Sequence, residues 1–131
     1  IRGPLMKIAS GKMHPLFNDQ QICITYINEL TQALKTIIND DQHGVFHVSS
    51  DTTTPYDLIF KVLSEIDEDP QQLKSSSVVE FLKTQGPAYR YPLFGGLKSI
   101  YTEEVLGQHF STWQTTVEKL VIEGLKLPVV N

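Results

Sequence analysis

The chain has 131 residues, of which 40% are hydrophobic and 20% are charged, and its net charge at neutral pH is −4. Its length predicts one domain, and its composition is that of a globular protein, which excludes collagen, disorder and a disulfide scaffold. Eleven basic residues stand against fifteen acidic ones. A nucleic-acid-binding face is therefore not expected, because phosphate contacts need clustered lysine and arginine. No apolar run approaches the ~20 residues of a membrane span, so we expect no membrane partner.

The chain contains one cysteine, Cys23, and it begins at Ile1 without an initiator methionine. A single cysteine excludes internal disulfides and fits a reducing compartment, so we expect a cytoplasmic protein. A chain that begins in this way is what we expect of a segment cut from a longer polypeptide. We therefore expect residues 1–131 to be one lobe of a larger protein.

In the first half of the chain, the sequence predicts helices, a bend and one strand. A helix is expected to end near Ala9, with Gly11 as the left-handed residue that follows it. Pro15–Thr25 mixes β-forming residues with a turn-prone Asn-Asp pair, which predicts short extended pieces around a bend. Apolar residues on one face of Tyr26–Asn39 predict a second helix. Gly44–Ser50 is apolar at its centre, which predicts a strand buried on both faces, as in a parallel sheet.

Capping patterns predict three helices in the second half. Thr54–Asp57 has a hydroxyl at the N-cap, proline at the first helical position and an acid two residues later. Ser77–Glu80 and Ser111–Gln114 are capping boxes, with Ser77 and Ser111 as N-caps, and Ser75–Ser77 is expected to be a linker that ends in the cap. Gly86–Gly96 predicts a loop, and a further short helix is expected around Thr102–Leu106. The pattern predicts a helix-rich α/β unit with too few strands for its own sheet.

Catalytic and cofactor-binding motifs are absent from the sequence. The four histidines form no HExxH motif, and His43 and His47, four residues apart, lie across a predicted turn-to-strand boundary where that spacing does not bring the side chains together. No glycines show the G-x-G-x-x-G spacing of a dinucleotide-binding loop. The sequence therefore predicts no metal site, no cofactor site and no complete enzyme.

The bend matches a known family. Asp19–Thr25, with the sequence DQQICIT, resembles the DQ-x-G-x-P-T stretch of dTDP-4-dehydrorhamnose reductases, which belong to the extended short-chain dehydrogenases/reductases. The resemblance continues in the family's order from about Leu5 to Leu125. Its further segments are Leu5–Lys12, Glu29–Thr31, Gly44–Ser49, Tyr56–Ile66, Pro92 with Leu97–Lys98, and Gly107 to Trp113.

This resemblance implies the helix-rich C-terminal lobe of such a reductase, without its Rossmann domain. The implied role is substrate binding in an NAD(P)-dependent reductase of nucleotide-linked 4-keto sugars. NADPH or NADH would bind in the parent protein and not in this fragment. The family's glycine-rich loop and Tyr-x-x-x-Lys pair lie in an N-terminal part, and no tyrosine here has lysine four residues later. The expected partners are a nucleotide sugar and the missing dinucleotide-binding domain.

Three positions depart from the family pattern. Ile22 and Ile24 stand where the family has glycine and proline, and Tyr91 stands at its usual arginine position. These departures keep two alternatives open. One is a non-catalytic regulatory or binding relative, and the other is a fragment of a sugar-nucleotide epimerase or dehydratase.

The resemblance and the local chemistry select five candidate substrate-binding residues. Asp19, Gln20 and Thr25 match the family's polar stretch, although a turn in which Thr25 caps the next helix would explain them equally well. Arg90 can bind a diphosphate through its guanidinium fork, and Tyr91 beside it can stack on a base.

The chain on its own is expected to expose an apolar patch where the missing domain would dock. We therefore expect the fragment to be inactive and to self-associate or exchange elements between copies. Pro4–Ser10 and Pro15–Thr25 are the segments expected to do so, because the sequence suggests no local partners for them.

Overall fold

A computed structural model describes residues 1–85 and 90–128. In these ranges the chain forms six α-helices, one 3₁₀ turn at Pro70–Gln72 and two short strands. The elements in chain order are α1 Arg2–Ala9, β1 Leu16–Phe17, α2 Ile27–Asn39, α3 Pro55–Glu65, β2 Ser75–Ser76, α4 Val78–Thr84, α5 Ile100–Leu106 and α6 Trp113–Ile122. None of the helices in this part of the chain is long and apolar enough to cross a membrane.

The two strands form a minimal parallel sheet. Leu16 lies opposite Ser75, and Phe17 lies opposite Ser76. The prediction of short extended pieces in Pro15–Thr25 is confirmed, whereas the linker predicted before Ser77 contains β2. The predicted class, a helix-rich α/β unit with few strands, is also confirmed.

Most helix ends lie where local chemistry predicts them. The Thr54 and Ser77 hydroxyls accept hydrogen bonds from the third residue of α3 and α4, so both N-caps are confirmed. Gly11 and Gly107 follow α1 and α5 with positive φ angles of 66° and 60°. Such angles favour glycine because it has no Cβ to clash with the preceding turn.

The N-cap of α6 differs from the prediction. Thr112, not Ser111, caps this helix, and its hydroxyl accepts from the Thr115 amide. The Ser111 hydroxyl instead donates to the Glu29 carboxylate at 2.5 Å. Ser111 therefore does not cap α6, because its hydroxyl is hydrogen-bonded to a residue far away in the sequence.

The core lies between α1, α3 and α6. Its buried members are Leu5, Ile8, Leu58, Ile59, Val62, Leu63, Leu73 and Val117. Because α1 contributes Leu5 and Ile8, and Leu16–Phe17 pairs with β2, the two segments expected to lack local partners both have them. The expected reason for self-association through these segments is therefore wrong.

The prediction of a doubly buried strand at Gly44–Ser50 is also wrong. The segment is extended but has no strand partner within residues 1–85 and 90–128, and Val45 is 75% exposed. Side chains of α5 and its N-cap hold one edge: Thr102 Oγ1 accepts from the His47 amide at 2.9 Å, and Ser99 Oγ accepts from the Ser49 amide at 3.0 Å. The apolar composition of the segment predicted that both of its faces are buried, but the described residues do not cover both faces.

Candidate functional site

Three segments distant in sequence meet at the predicted substrate-binding region, and we call this meeting point the junction. It consists of residues 19–25, 49–53 and 90–98. Ile22 and Thr53 exchange two backbone hydrogen bonds of 2.9 Å. The Gln21 amide donates to the Leu93 carbonyl at 2.7 Å, so backbone pairing holds the first segment between the other two.

Two adjacent glycines allow the third segment to approach this closely. The Gly95 amide donates to the Gln21 carbonyl at 2.9 Å, and a Cβ on Gly95 would lie 3.0 Å from that oxygen. A Cβ on Gly96 would lie 2.8 Å from Thr52 Oγ1, closer than van der Waals contact permits. A side chain at Gly95 would crowd the Gln21 carbonyl, and one at Gly96 would force Thr52 to move, so both glycines favour this close approach.

Gln20 lies at the centre of the junction. Its amide Nε2 donates to the Pro92 carbonyl at 3.0 Å, across 72 residues of sequence. Pro92 directly follows Arg90 and Tyr91, so Gln20 holds the backbone of the segment that carries both. Gln20 therefore links the first segment of the junction to the segment that carries Arg90 and Tyr91.

Asp19 has a structural role in this arrangement. Its carboxylate accepts from the Ser77 hydroxyl at 2.5 Å and from the Val78 amide at 2.7 Å, at the N-terminus of α4. The hydrogen bond from Ser77, followed by that from Val78, lowers the pKa of Asp19 below its usual range. Asp19 therefore caps a helix distant in sequence, and these bonds occupy both carboxylate oxygens.

Thr25 is also bonded within the protein, but not as a helix cap. Tyr26 is the N-cap of α2, and no side-chain hydrogen bond caps that helix. The Thr25 hydroxyl instead donates to the Val48 carbonyl at 2.8 Å. The alternative in which Thr25 caps the helix is therefore wrong, because the extended segment before Ser49 supplies a nearby acceptor.

An aromatic cluster adjoins Gln20 and orients Tyr91. The Tyr91 ring lies 6.1 Å from the Phe17 ring and 5.9 Å from the Phe81 ring, both in edge-to-face geometry. Tyr91 and Phe94 remain exposed, as does Arg90. Residues 86–89 of the predicted loop lie outside the described residues. An exposed aromatic ring can bind a planar base, and an exposed guanidinium can bind an anionic group.

A second polar region lies between α2 and α6. The Glu29 carboxylate accepts from Ser111 and, at 2.9 Å, from Lys119 Nζ. Burial raises the pKa of Glu29, but the bonds from Ser111 and Lys119 outweigh it and hold the pKa below its usual range. Tyr26 and Glu123 are hydrogen-bonded beside a cleft of about 410 Å³. These hydrogen-bonded residues connect the region of α2 to that of α6.

Sequence reasoning missed the aromatic partners of Tyr91. Phe17 and Phe81 are 64 residues apart, and no local spacing indicates that their rings lie 5.6 Å from each other. The exposure of Phe94 could have been predicted from the sequence, because a phenylalanine between Pro92 and Gly95 in a polar loop has few neighbours that could bury it. Phe94 is 77% exposed in the structure.

Comparison with known proteins gives matches to solved structures alone. No protein-family model matches the chain, and no curated protein matches it significantly. A dTDP-4-dehydrorhamnose reductase from Bacillus anthracis, in complex with NADP, is 18% identical with a TM-score of 0.73. One from Clostridium acetobutylicum is 17% identical with a TM-score of 0.71. Each match covers 94% of this chain and 43% of the other.

These matches confirm the predicted resemblance at the level of the fold. The chain spans less than half the length of either reductase, which fits the prediction that it resembles only a C-terminal part.

Proposed function

We propose that this chain is the substrate-binding part of an NAD(P)-dependent reductase that acts on a nucleotide-linked 4-keto sugar. The fold match over 94% of the chain carries the proposal. The junction supports it, because Gln20, Arg90 and Tyr91 come together there although about 70 residues separate them.

The geometry assigns different tasks to these side chains. Gln20 positions the backbone of the segment at Pro92, and the edge-to-face contacts of Tyr91 fix the plane of its ring. Arg90, the exposed residue before Tyr91 in the chain, would bind the diphosphate through its guanidinium as a bidentate donor. Asp19 and Thr25 contribute indirectly, by holding α4 and the extended segment in place.

The redox chemistry would take place in another part of the protein. The sequence carries no glycine-rich loop, so its residues do not fit a dinucleotide. An adjoining domain would hold NADPH or NADH, which supplies the hydride, together with a Tyr-x-x-x-Lys pair. This chain would orient the sugar nucleotide, which favours reaction by holding the reacting groups in a productive geometry.

Titration calorimetry with dTDP-glucose tests the binding role. We expect Arg90→Lys to weaken binding about 10-fold or more, because lysine cannot reproduce the bidentate fork. The matched control is Arg2→Lys, the same change at an exposed arginine in α1. Equal affinities for the wild-type chain and Arg90→Lys, or no binding by the wild-type chain, would refute the assignment.

The substitutions at the bend favour a second candidate, a non-catalytic relative that keeps the fold as a binding or regulatory subunit. Ile22 and Ile24 stand at the family's glycine and proline positions, and both pack against the core. The coding sequence upstream of this chain discriminates between the two functions. A glycine-rich loop and a Tyr-x-x-x-Lys pair there would support the reductase, and the loss of both would support the relative.

A further inference from the structure

The first 18 residues carry a charge opposite to that of the rest of the chain. They contain Arg2, Lys7 and Lys12 but no aspartate or glutamate, which gives a formal charge of +3 with histidine neutral. The other residues contain eight basic side chains and all fifteen acidic ones, which gives −7. In a protein of negative net charge, a positive local surface attracts acidic partners and orients them as they approach.

The fold gathers this positive charge around His14. Three clefts of about 240, 360 and 370 Å³ share His14 in their lining, and together we call them the basic groove. The lining residues of the groove come from positions 3–16 and 72–74, and neither range contains an acidic residue. Lys7 and Lys12 line the groove on the α1 side, and Lys74 lines it from the chain before β2. The groove is therefore basic along its whole length.

The lysines of the basic groove are not neutralised within the chain. Among residues 1–85 and 90–128, no carboxylate forms an ion pair with Lys7, Lys12 or Lys74, whereas three other lysines are paired. Met6 also lines the groove and is 45% exposed, which places apolar surface beside the ammonium groups. Methionine adapts its shape to different partners. This combination suits an acidic segment of a polypeptide better than a small anion.

An acidic loop adjoins the basic groove on the same molecule. Asp67–Asp69 contains three consecutive exposed acidic residues, and none of them forms an ion pair among the described residues. Gln72, which lines the groove, donates from Nε2 to the Asp69 carbonyl at 2.7 Å. The Asp69 carboxylate accepts from the Gln71 amide at 2.9 Å. The loop therefore lies beside the groove without neutralising its lysines.

We propose that the basic groove of one copy binds the acidic loop of a second copy across a two-fold axis. Because the groove and the loop adjoin on each copy, a two-fold axis beside them makes the same contact twice. Each copy supplies the three lysines Lys7, Lys12 and Lys74 and the three carboxylates of Asp67–Asp69. Charge complementarity carries this proposal, not an unpaired backbone, and it is independent of the proposed function. Exposed ion pairs contribute little individually and are screened by salt, so the dimer is weak and salt-sensitive.

Light scattering from the 131-residue chain at two salt concentrations tests the dimer. In about 20 mM NaCl, the mass should rise with protein concentration from 14.8 kDa toward twice that value and no further. Raising NaCl to about 0.5 M should lower the association constant about 10-fold or more, because the screening length becomes shorter than the spacing of the charges. A monomer throughout at low salt, association that salt does not weaken, or growth beyond a dimer would each overturn the proposal.

Exchange of the charges between groove and loop gives a more specific test. One variant combines Lys7→Glu with Lys12→Glu, and the other combines Asp67→Asn with Glu68→Lys. Asparagine is chosen at position 67 because Asp67 has a positive φ of 57°, which asparagine tolerates. Each variant alone should be monomeric, with the unfolding midpoint of the wild-type chain. An equimolar mixture should form a heterodimer, because the reversed groove meets the reversed loop while the unchanged loop meets the unchanged groove. A mixture that stays monomeric would overturn the proposal.

A matched control separates the groove from the net charge. Lys35→Glu combined with Lys126→Glu makes the same change in charge at two exposed lysines outside the groove. This variant should still form the dimer. If it loses association as completely as the variant with Lys7→Glu and Lys12→Glu, net charge alone explains the effect and the proposal fails. A chain that binds a hexaglutamate peptide but never self-associates would assign the groove to another acidic polypeptide and would also overturn the proposal.

Discussion

The buried hydroxyl of Thr102 offers a direct test of how the extended segment is held. Thr102 Oγ1 accepts from the His47 amide at 2.9 Å, and the side chain is fully buried in α5. Thr102→Val keeps the shape of the side chain and replaces the acceptor with a methyl group. The His47 amide then faces a buried methyl group instead of an acceptor.

The expected loss is about 1–3 kcal/mol, the usual cost of leaving a buried hydrogen-bond donor without a partner. With a urea dependence of about 2 kcal/mol/M, the unfolding midpoint falls by about 1 M. The control Thr102→Ser keeps the oxygen and loses one methyl group, which costs about 0.8 kcal/mol. Urea unfolding followed by circular dichroism measures the stabilities, and amide exchange at His47 reports the bond itself.

The relative stabilities of the two variants show whether the hydrogen bond from the His47 amide holds the segment. We expect Thr102→Val to be less stable than Thr102→Ser, with faster exchange at His47 in the valine variant alone. If Thr102→Val unfolds at the wild-type urea concentration, with unchanged protection of His47, the hydrogen bond does not hold the segment.

Three further predictions concern the junction, the α2–α6 contact and association. In the longer reductase that we propose, Gln20→Ala should lower kcat/KM, because the backbone at Pro92 loses its donor; unchanged kinetics with lower stability would assign Gln20 a purely structural role. The pKa of Glu29 is lower in the folded chain than its unfolded value of about 4.5. The ionised Glu29 therefore stabilises the fold above pH 4.5, and this stabilisation is lost as the pH falls through the lower folded pKa. Glu29→Gln should therefore destabilise the chain by about 1–2 kcal/mol at pH 7. Below pH 4.5 the variant should lose less stability than the wild-type chain. Urea unfolding of both proteins from pH 7 to pH 3 tests this difference. Light scattering should show that the 131-residue chain self-associates at millimolar concentration, and a monomer throughout would contradict this expectation.

The sequence alone predicted the helices well, because their ends depend on neighbouring residues. A hydroxyl at Thr54 or Ser77 caps the amides two or three residues later, and Gly11 supplies the left-handed conformation after α1. These interactions form within one helical turn, so they can be recognised without knowing the fold. The family resemblance and the local chemistry likewise selected Gln20, Arg90 and Tyr91 as candidate substrate-binding residues, and that assignment stays a prediction.

Only the tertiary structure decided which partner each polar side chain has. Ser111 has a good local capping pattern, but the Glu29 carboxylate, 82 residues away, is its acceptor. Asp19 matches a family motif, yet it caps α4 from 58 residues away. The Gly44–Ser50 segment has the composition of a central strand, but whether such a segment is paired depends on a neighbour that its own sequence does not specify. Hydrogen bonds between distant residues depend on how the helices and strands pack, and this packing cannot be predicted from the local sequence.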